Sequence, residues 1–156
     1  MKRILYLLGL VVLLVPQLLA VDYAVSWSVT STTATAITIQ QPASSARQVI
    51  GNVVSGSCSV SCTVVLERDG TAATATSATI TKPADSGKTP AFTAYTASDV
   101  GTGTVIERVR LETGGYFSIP IPHVRMVNQG TGYNFTVRIT LDSSGNTYGT
   151  VKVKEE

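Results

Sequence analysis

Tyr133-Asn134-Phe135-Thr136-Val137-Arg138-Ile139-Thr140-Leu141, followed by Asp142-Ser143-Ser144-Gly145-Asn146 and then Thr147-Tyr148-Gly149-Thr150-Val151-Lys152-Val153, is the stretch that decides the fold class. Tyr133, Phe135, Val137, Ile139 and Leu141 fall on one side of an extended chain, and Asn134, Thr136, Arg138, Thr140 and Asp142 on the other. A period of two is that of a strand with one buried face. Ser143 to Asn146 are turn formers, so the stretch predicts a hairpin with a polar loop, Tyr148, Val151 and Val153 opening the final strand.

The same period extends towards the N-terminus. Tyr23, Val25, Trp27 and Val29 alternate with Ala24, Ser26 and Ser28, and Ile37 and Ile39 with Thr38 and Gln40. Arg47 to Val54 is apolar on both faces, as in a central strand. Val64 and Leu66 lead to the Asp69-Gly70 turn signal, and Thr71 to Thr81 alternates Thr with Ala. Further short strands are expected around Phe92 and Tyr95, over Val105, Val109 and Leu111, and over Phe117, Ile119 and Ile121. Lys82 to Pro90 reads as a long exposed connection. Nothing after Ala20 has helical periodicity of useful length. About nine or ten short strands, with turn signals roughly every 8–12 residues, predict an all-β, two-sheet sandwich or jelly roll.

The N-terminus has a different pattern. Met1-Lys2-Arg3 precedes an apolar run from Ile4 to Val15, then Pro16 and Ala20. That order is expected of a secretory signal peptide over residues 1–20, cleaved after Ala20, with the β-sandwich domain over 21–156. The apolar run falls short of the ~20 residues a membrane anchor needs, so no stable span is expected after cleavage. About 136 residues would remain, one domain's worth. Losing Lys2 and Arg3 from 12 basic residues balances the 10 acidic ones, so the exported domain would be neutral overall. Charges spread along the chain disfavour nucleic acid, which needs clustered Lys and Arg. Near-zero net charge favours association.

Cys58 and Cys62 flank Ser59-Val60-Ser61. In one extended strand their Cα atoms would stand about 13 Å apart at ~3.3 Å per residue. A disulfide needs less than about 7 Å. They can pair only if the three intervening residues turn back, and the expectation is a disulfide clamping a hairpin tip, suited to an oxidising compartment. The alternative is two free thiols. A metal site is disfavoured, because His123 is the one histidine of the chain.

Catalytic signatures are missing. His123 lies between Pro122 and Val124 without a Gly-x-Ser-x-Gly elbow, and the acids Glu67, Asp69, Asp99, Glu107, Glu112 and Asp142 cannot be paired from the sequence, several of them sitting at turns. Gly101-Thr102-Gly103 lacks the Gly-Lys-Ser/Thr of a phosphate loop. Asp142 to Asn146 offers oxygens at alternate positions but lacks the distal Glu of a calcium loop. No cofactor is expected. Asn134-Phe135-Thr136 matches a glycan acceptor at Asn134. Trp27 is a candidate for stacking on a sugar, although its phase with Tyr23 and Val25 favours the core.

Gln129-Gly130-Thr131-Gly132-Tyr133 to Ile139, then Gly145-Asn146 and Val151-Lys152-Val153, resembles the last two strands of immunoglobulin-like and fibronectin-III-like sandwiches. There a Gly-Thr turn precedes a corner Tyr, and a Gly-Asn hairpin leads to the final strand. Unlike the cysteines of antibody domains, the two here are not expected to span the sheets. The run from Val64 to the final Glu155-Glu156 also resembles small jelly-roll proteins that decorate virus particles or build bacterial surface fibres. Either resemblance implies binding or assembly. The expected function is therefore that of a secreted or cell-surface, non-enzymatic structural protein acting by self-assembly or adhesion. Its partner would be itself, as a homo-oligomer or fibre, or a surface protein or glycan. The alternative is an extracellular carbohydrate-binding module using Trp27 or exposed tyrosines, and a secreted enzyme of unrecognised type ranks behind both.

Overall fold

Alternation shapes the first strand. β1 (Val21–Ser31) buries Val21, Tyr23, Val25 and Trp27 and exposes Asp22, Ser26 and Ser28. The computed structural model describes residues 20–31, 34–41, 49–68, 76–82, 87–98, 103–121, 125–126 and 133–156. The expected signal segment before Ala20, His123 and the core of the Lys82–Pro90 connection lie outside them.

Eight more strands have five residues or more: β2 (Thr35–Gln41), β3 (Val49–Cys58), β4 (Cys62–Arg68), β7 (Thr93–Ser98), β8 (Thr104–Leu111), β9 (Tyr116–Pro120), β11 (Tyr133–Leu141) and β12 (Gly145–Glu155). β5 (Thr76–Ser77), β6 (Ile80–Thr81) and β10 (Arg125–Met126) have two residues each. The Thr/Ala run thus contributes two short pieces, one in each sheet.

All pairing is antiparallel. One sheet runs β10-β3-β12-β1-β6, with β9 also beside β3, and the other runs β5-β7-β2-β11-β4-β8. The apolar faces meet as a β-sandwich. Tyr23, Val25, Val54, Val151 and Val153 come from the first sheet, and Ile37, Ile39, Leu66, Phe135, Val137 and Ile139 from the second. Each such side chain contributes roughly 1.5–3 kcal/mol by leaving water. The Tyr23 and Phe92 rings meet edge to face with centroids 5.5 Å apart.

The expected C-terminal hairpin does not form. β11 pairs with β2 and β4, whereas β12 pairs with β1 and β3 in the opposite sheet. Asp142 to Ser144 therefore carries the chain across the sandwich, a gap of about 10 Å. Two alternating strands can face each other across a core as well as lie side by side, and the pattern within each strand is the same in both cases. No two described strands that are consecutive in the chain pair with each other.

β3 is central, as its apolar run predicted, flanked by β12 on one side and β9 and β10 on the other. A bulge at Asn52 shifts its register between Lys152 and Val153 of β12. This irregularity keeps Gly51 and Val54 both buried, although they stand three positions apart. β4 is buried on both faces, enclosing Val65 and Glu67 as well as Val64 and Leu66, as is β2 over Thr35, Ala36, Ile37, Thr38 and Ile39.

Candidate functional site

Register brings four residues into one line across the first sheet. Tyr116 of β9 faces Ser57 of β3, Ser57 faces Tyr148 of β12, and Tyr148 faces Ser28 of β1. The line lies on the outer face, where Tyr116 is 84% exposed and Tyr148 47%. The next outward line is Ser118, Ser55, Thr150 and Ser26. Ser26 and Thr150 share a hydroxyl–hydroxyl hydrogen bond of 3.1 Å. These eight positions carry no charge. Charge enters one line further along, with Lys152.

The inward line between these two holds the large rings. It reads Phe117, Gly56, Gly149 and Trp27. A Cβ at Gly56 would meet Tyr148 O at 2.3 Å and Phe117 Cζ at 2.8 Å, and one at Gly149 would meet Trp27 Cζ2 at 2.2 Å. Two central glycines thus make room for two large rings, and the strands stay in register above them.

The end of this face is tied at a corner. Cys58 ends β3 and Cys62 begins β4, and they form a disulfide with Cα atoms 6.4 Å apart. The cysteines do not clamp a hairpin tip, because β3 and β4 belong to opposite sheets. The bridge spans the sandwich where the chain crosses it, against the expectation that it would not. Ser59-Val60-Ser61 does turn, but around the edge of the core. The crossing from β11 to β12 runs alongside. Ser59 N donates to Asn146 O at 2.9 Å, Asn146 N donates to Ser59 Oγ at 2.8 Å, and Asp142 N donates to Ser61 O at 3.0 Å. Thr30 Oγ1 donates to Asn146 Oδ1 at 2.6 Å. Beside them, Gly114 at φ 72° turns the chain from β8 into β9, and Cys58 N donates to Gly115 O at 3.2 Å. That turn sets Tyr116 opposite Ser57.

Of the other sequence candidates, Trp27 lies beneath this face and not on it, so it offers no surface for stacking. Trp27 is 5% exposed, and its Nε1 donates to Thr147 Oγ1 at 3.3 Å. Asn134 pairs in register with Gln40, and its side chain lies outside the described residues. Asp142 forms a bidentate pair with Arg110, which also donates to Thr63 Oγ1 at 3.1 Å. The hydrogen bond from Arg110 holds the Asp142 carboxyl below its ordinary pKa, and the same bond raises the Arg110 guanidinium. Glu67, 1% exposed, pairs with Arg138. Among the described residues no group of three or more His, Cys, Asp or Glu could hold a metal, and no helix is long and apolar enough to cross a membrane.

Tyr116 and Tyr148 carry a phase signal. Tyr116 is out of step with Phe117, Ile119 and Ile121, and Tyr148 with Val151 and Val153, so both belong on the outer face. Their alignment through Ser57 depends on strand order. Comparison with protein-family models, with curated proteins and with solved structures finds no match.

Proposed function

We propose that this chain is a secreted, non-enzymatic structural or adhesive surface protein of jelly-roll type that acts by strand addition or self-assembly. The strand order supports the jelly-roll reading. With the three two-residue strands and β7 set aside, the sheets read β1-β12-β3-β9 and β2-β11-β4-β8. The chain changes sheet at every step except from β4 to β8, as it does in a doubled Greek key. Immunoglobulin-like sandwiches, by contrast, pair successive strands such as A with B.

The observation that carries the assembly reading is the edge of β1. On the side away from β12, the described strands meet this eleven-residue strand only through Ile80 and Thr81, opposite Val25 and Ala24. From Ser26 to Thr30 it carries no charge. β8, an edge of the other sheet, carries Glu107, Arg108 and Arg110, the kind of charge that protects an edge. An uncharged edge that the described strands cover only in part is a template for a strand of another chain. The carboxylates of Glu67 and Asp142 are engaged by arginines, which suits contact rather than catalysis.

Light scattering on the purified chain across a concentration series tests the reading. An oligomer or filament that persists on dilution, and that Val29→Lys disperses, is the expected result, with Thr30→Lys as a second variant should the first fail to fold. A monomer at every concentration overturns self-assembly.

A further inference from the structure

We infer that the outer face of the first sheet, at its disulfide-tied end, is a binding platform for a neutral, extended glycan, with Tyr116 and Tyr148 as two stacking faces. The platform uses outward side chains of the sheet, whereas the assembly reading uses the backbone edge of β1; the two meet at Ser26 and Ser28, and the inference goes beyond that reading.

Aromatic residues are scarce in this chain, and among those whose burial is described Tyr95, in the second sheet, is half-buried. Tyr23, Trp27, Phe92, Phe117 and Phe135 are buried in the sandwich. Tyr116 and Tyr148 are exposed, and register places both in one line on one face. Ser57 stands between them, so the two tyrosine backbones are two strand spacings apart, about 10 Å, with a small residue at the midpoint. An extended sugar chain laid across the strands would pass over both tyrosines.

The surroundings select the ligand class. A hexose has an apolar C–H face that packs on an aromatic ring and a rim of hydroxyls that both donate and accept. Serine and threonine hydroxyls have the same dual capacity. Ser28 continues the tyrosine line and the Ser118–Thr150 line runs parallel to it, so hydroxyls lie on the flank of both rings. Both lines are uncharged, which matches a neutral sugar and provides no counter-charge for a sulfated, uronic or phosphate-bearing chain. A protein partner would be met by a contiguous apolar centre, whereas here a serine separates the tyrosines and hydroxyls surround them.

The platform is also rigid. Phe117 and Trp27 fill the layer beneath it over Gly56 and Gly149, and the Cys58–Cys62 bridge with the Ser59–Asn146 hydrogen bonds ties its end. A site whose backbone is already ordered loses little entropy on binding.

The test is retention of the purified chain on cellulose, xylan, mannan, β-1,3-glucan and galactan, with carboxymethyl cellulose and heparin as charged controls. The expected result is retention on at least one neutral polymer and not on the charged ones. Tyr116→Ala and Tyr148→Ala should each weaken it by about tenfold, the size of one aromatic contact, and the double variant should abolish it. Ser57→Lys, which fills the trough and adds charge, should have the same effect, with circular dichroism confirming the fold of each variant. Retention on none of the neutral polymers, a preference for the charged ones, or binding indifferent to both tyrosines would overturn the inference. So would loss of an oligomer in the tyrosine variants, because the face would then be a contact between copies. Dispersal of an oligomer by Val29→Lys with glycan retention intact would separate the two surfaces.

Discussion

Trp27 and Gly149 are register partners in β1 and β12, and the indole occupies the space that any side chain at position 149 would need. A Cβ there would fall 2.2 Å from Trp27 Cζ2 and 2.4 Å from Cη2, with Ser55 O at 2.5 Å behind it. The backbone oxygen cannot swing aside as a flexible side chain would. Gly149→Ala is therefore expected to destabilise the fold by at least the ~1–3 kcal/mol typical of overpacking. A lower urea midpoint with an unchanged slope would show it, and an unchanged midpoint would mean that the ring is not held against this glycine.

The Cys58–Cys62 bridge closes a very short loop, so it should contribute only about 2 kcal/mol by restricting the unfolded chain. The crossing it spans is also held by Ser59 and Asn146. Cys58→Ala/Cys62→Ala is expected to fold, with a lower denaturation midpoint. Denatured wild-type protein should take up no thiol label until a reductant is added.

Arg138 is the charge partner of a carboxylate that is almost fully enclosed, Glu67, whose second oxygen accepts from Gly103 N at 3.4 Å. Arg138→Ala would leave that charge uncompensated in the interior of β4, at a cost of about 3–5 kcal/mol. Adding Glu67→Gln removes the stranded charge and should restore part of the loss. A double-mutant cycle from urea melts would measure the coupling.

Asp142 titrates below its ordinary value because Arg110 donates to its charged form. The sign follows directly. The stabilisation is present above the pKa of the unfolded carboxyl and is lost as the pH falls through the lowered folded value. Both partners are about half exposed, so the effect is small and should shrink with added salt. Comparing denaturation midpoints of wild type and Asp142→Asn from about pH 6 to about pH 2 should show curves that converge at the acid end.

Every strand pair joins segments that are not neighbours along the chain, from β1 with β12 to β4 with β11. Loop closure must precede each sheet contact, so refolding is expected on the millisecond-to-second scale or slower. Stopped-flow fluorescence of Trp27, buried only when β1 and β12 have met, would report it. A microsecond phase carrying the full amplitude would contradict this topology.

The period-two alternation of Tyr23 to Val29, of Phe135 to Leu141 and of Val151 to Val153 determined by itself that the chain is all-β and which side chains turn inward. It does so because the pleat sends successive side chains to opposite faces whatever the neighbouring strand is. The same phase places Tyr116 and Tyr148 outward, and the Cys58–Cys62 spacing meant that a bridge between them would need a turn. Only the tertiary structure decided which strands are neighbours. β11 and β12 present the same alternation whether they pair side by side or face each other across the core, and the loop at Asp142 to Ser144 serves either course. From that choice follow the bridge across the sandwich and the line Tyr116–Ser57–Tyr148, whose members come from three strands far apart in sequence. Strand order is set by how two whole faces pack together, a sum over the molecule that no local pattern contains.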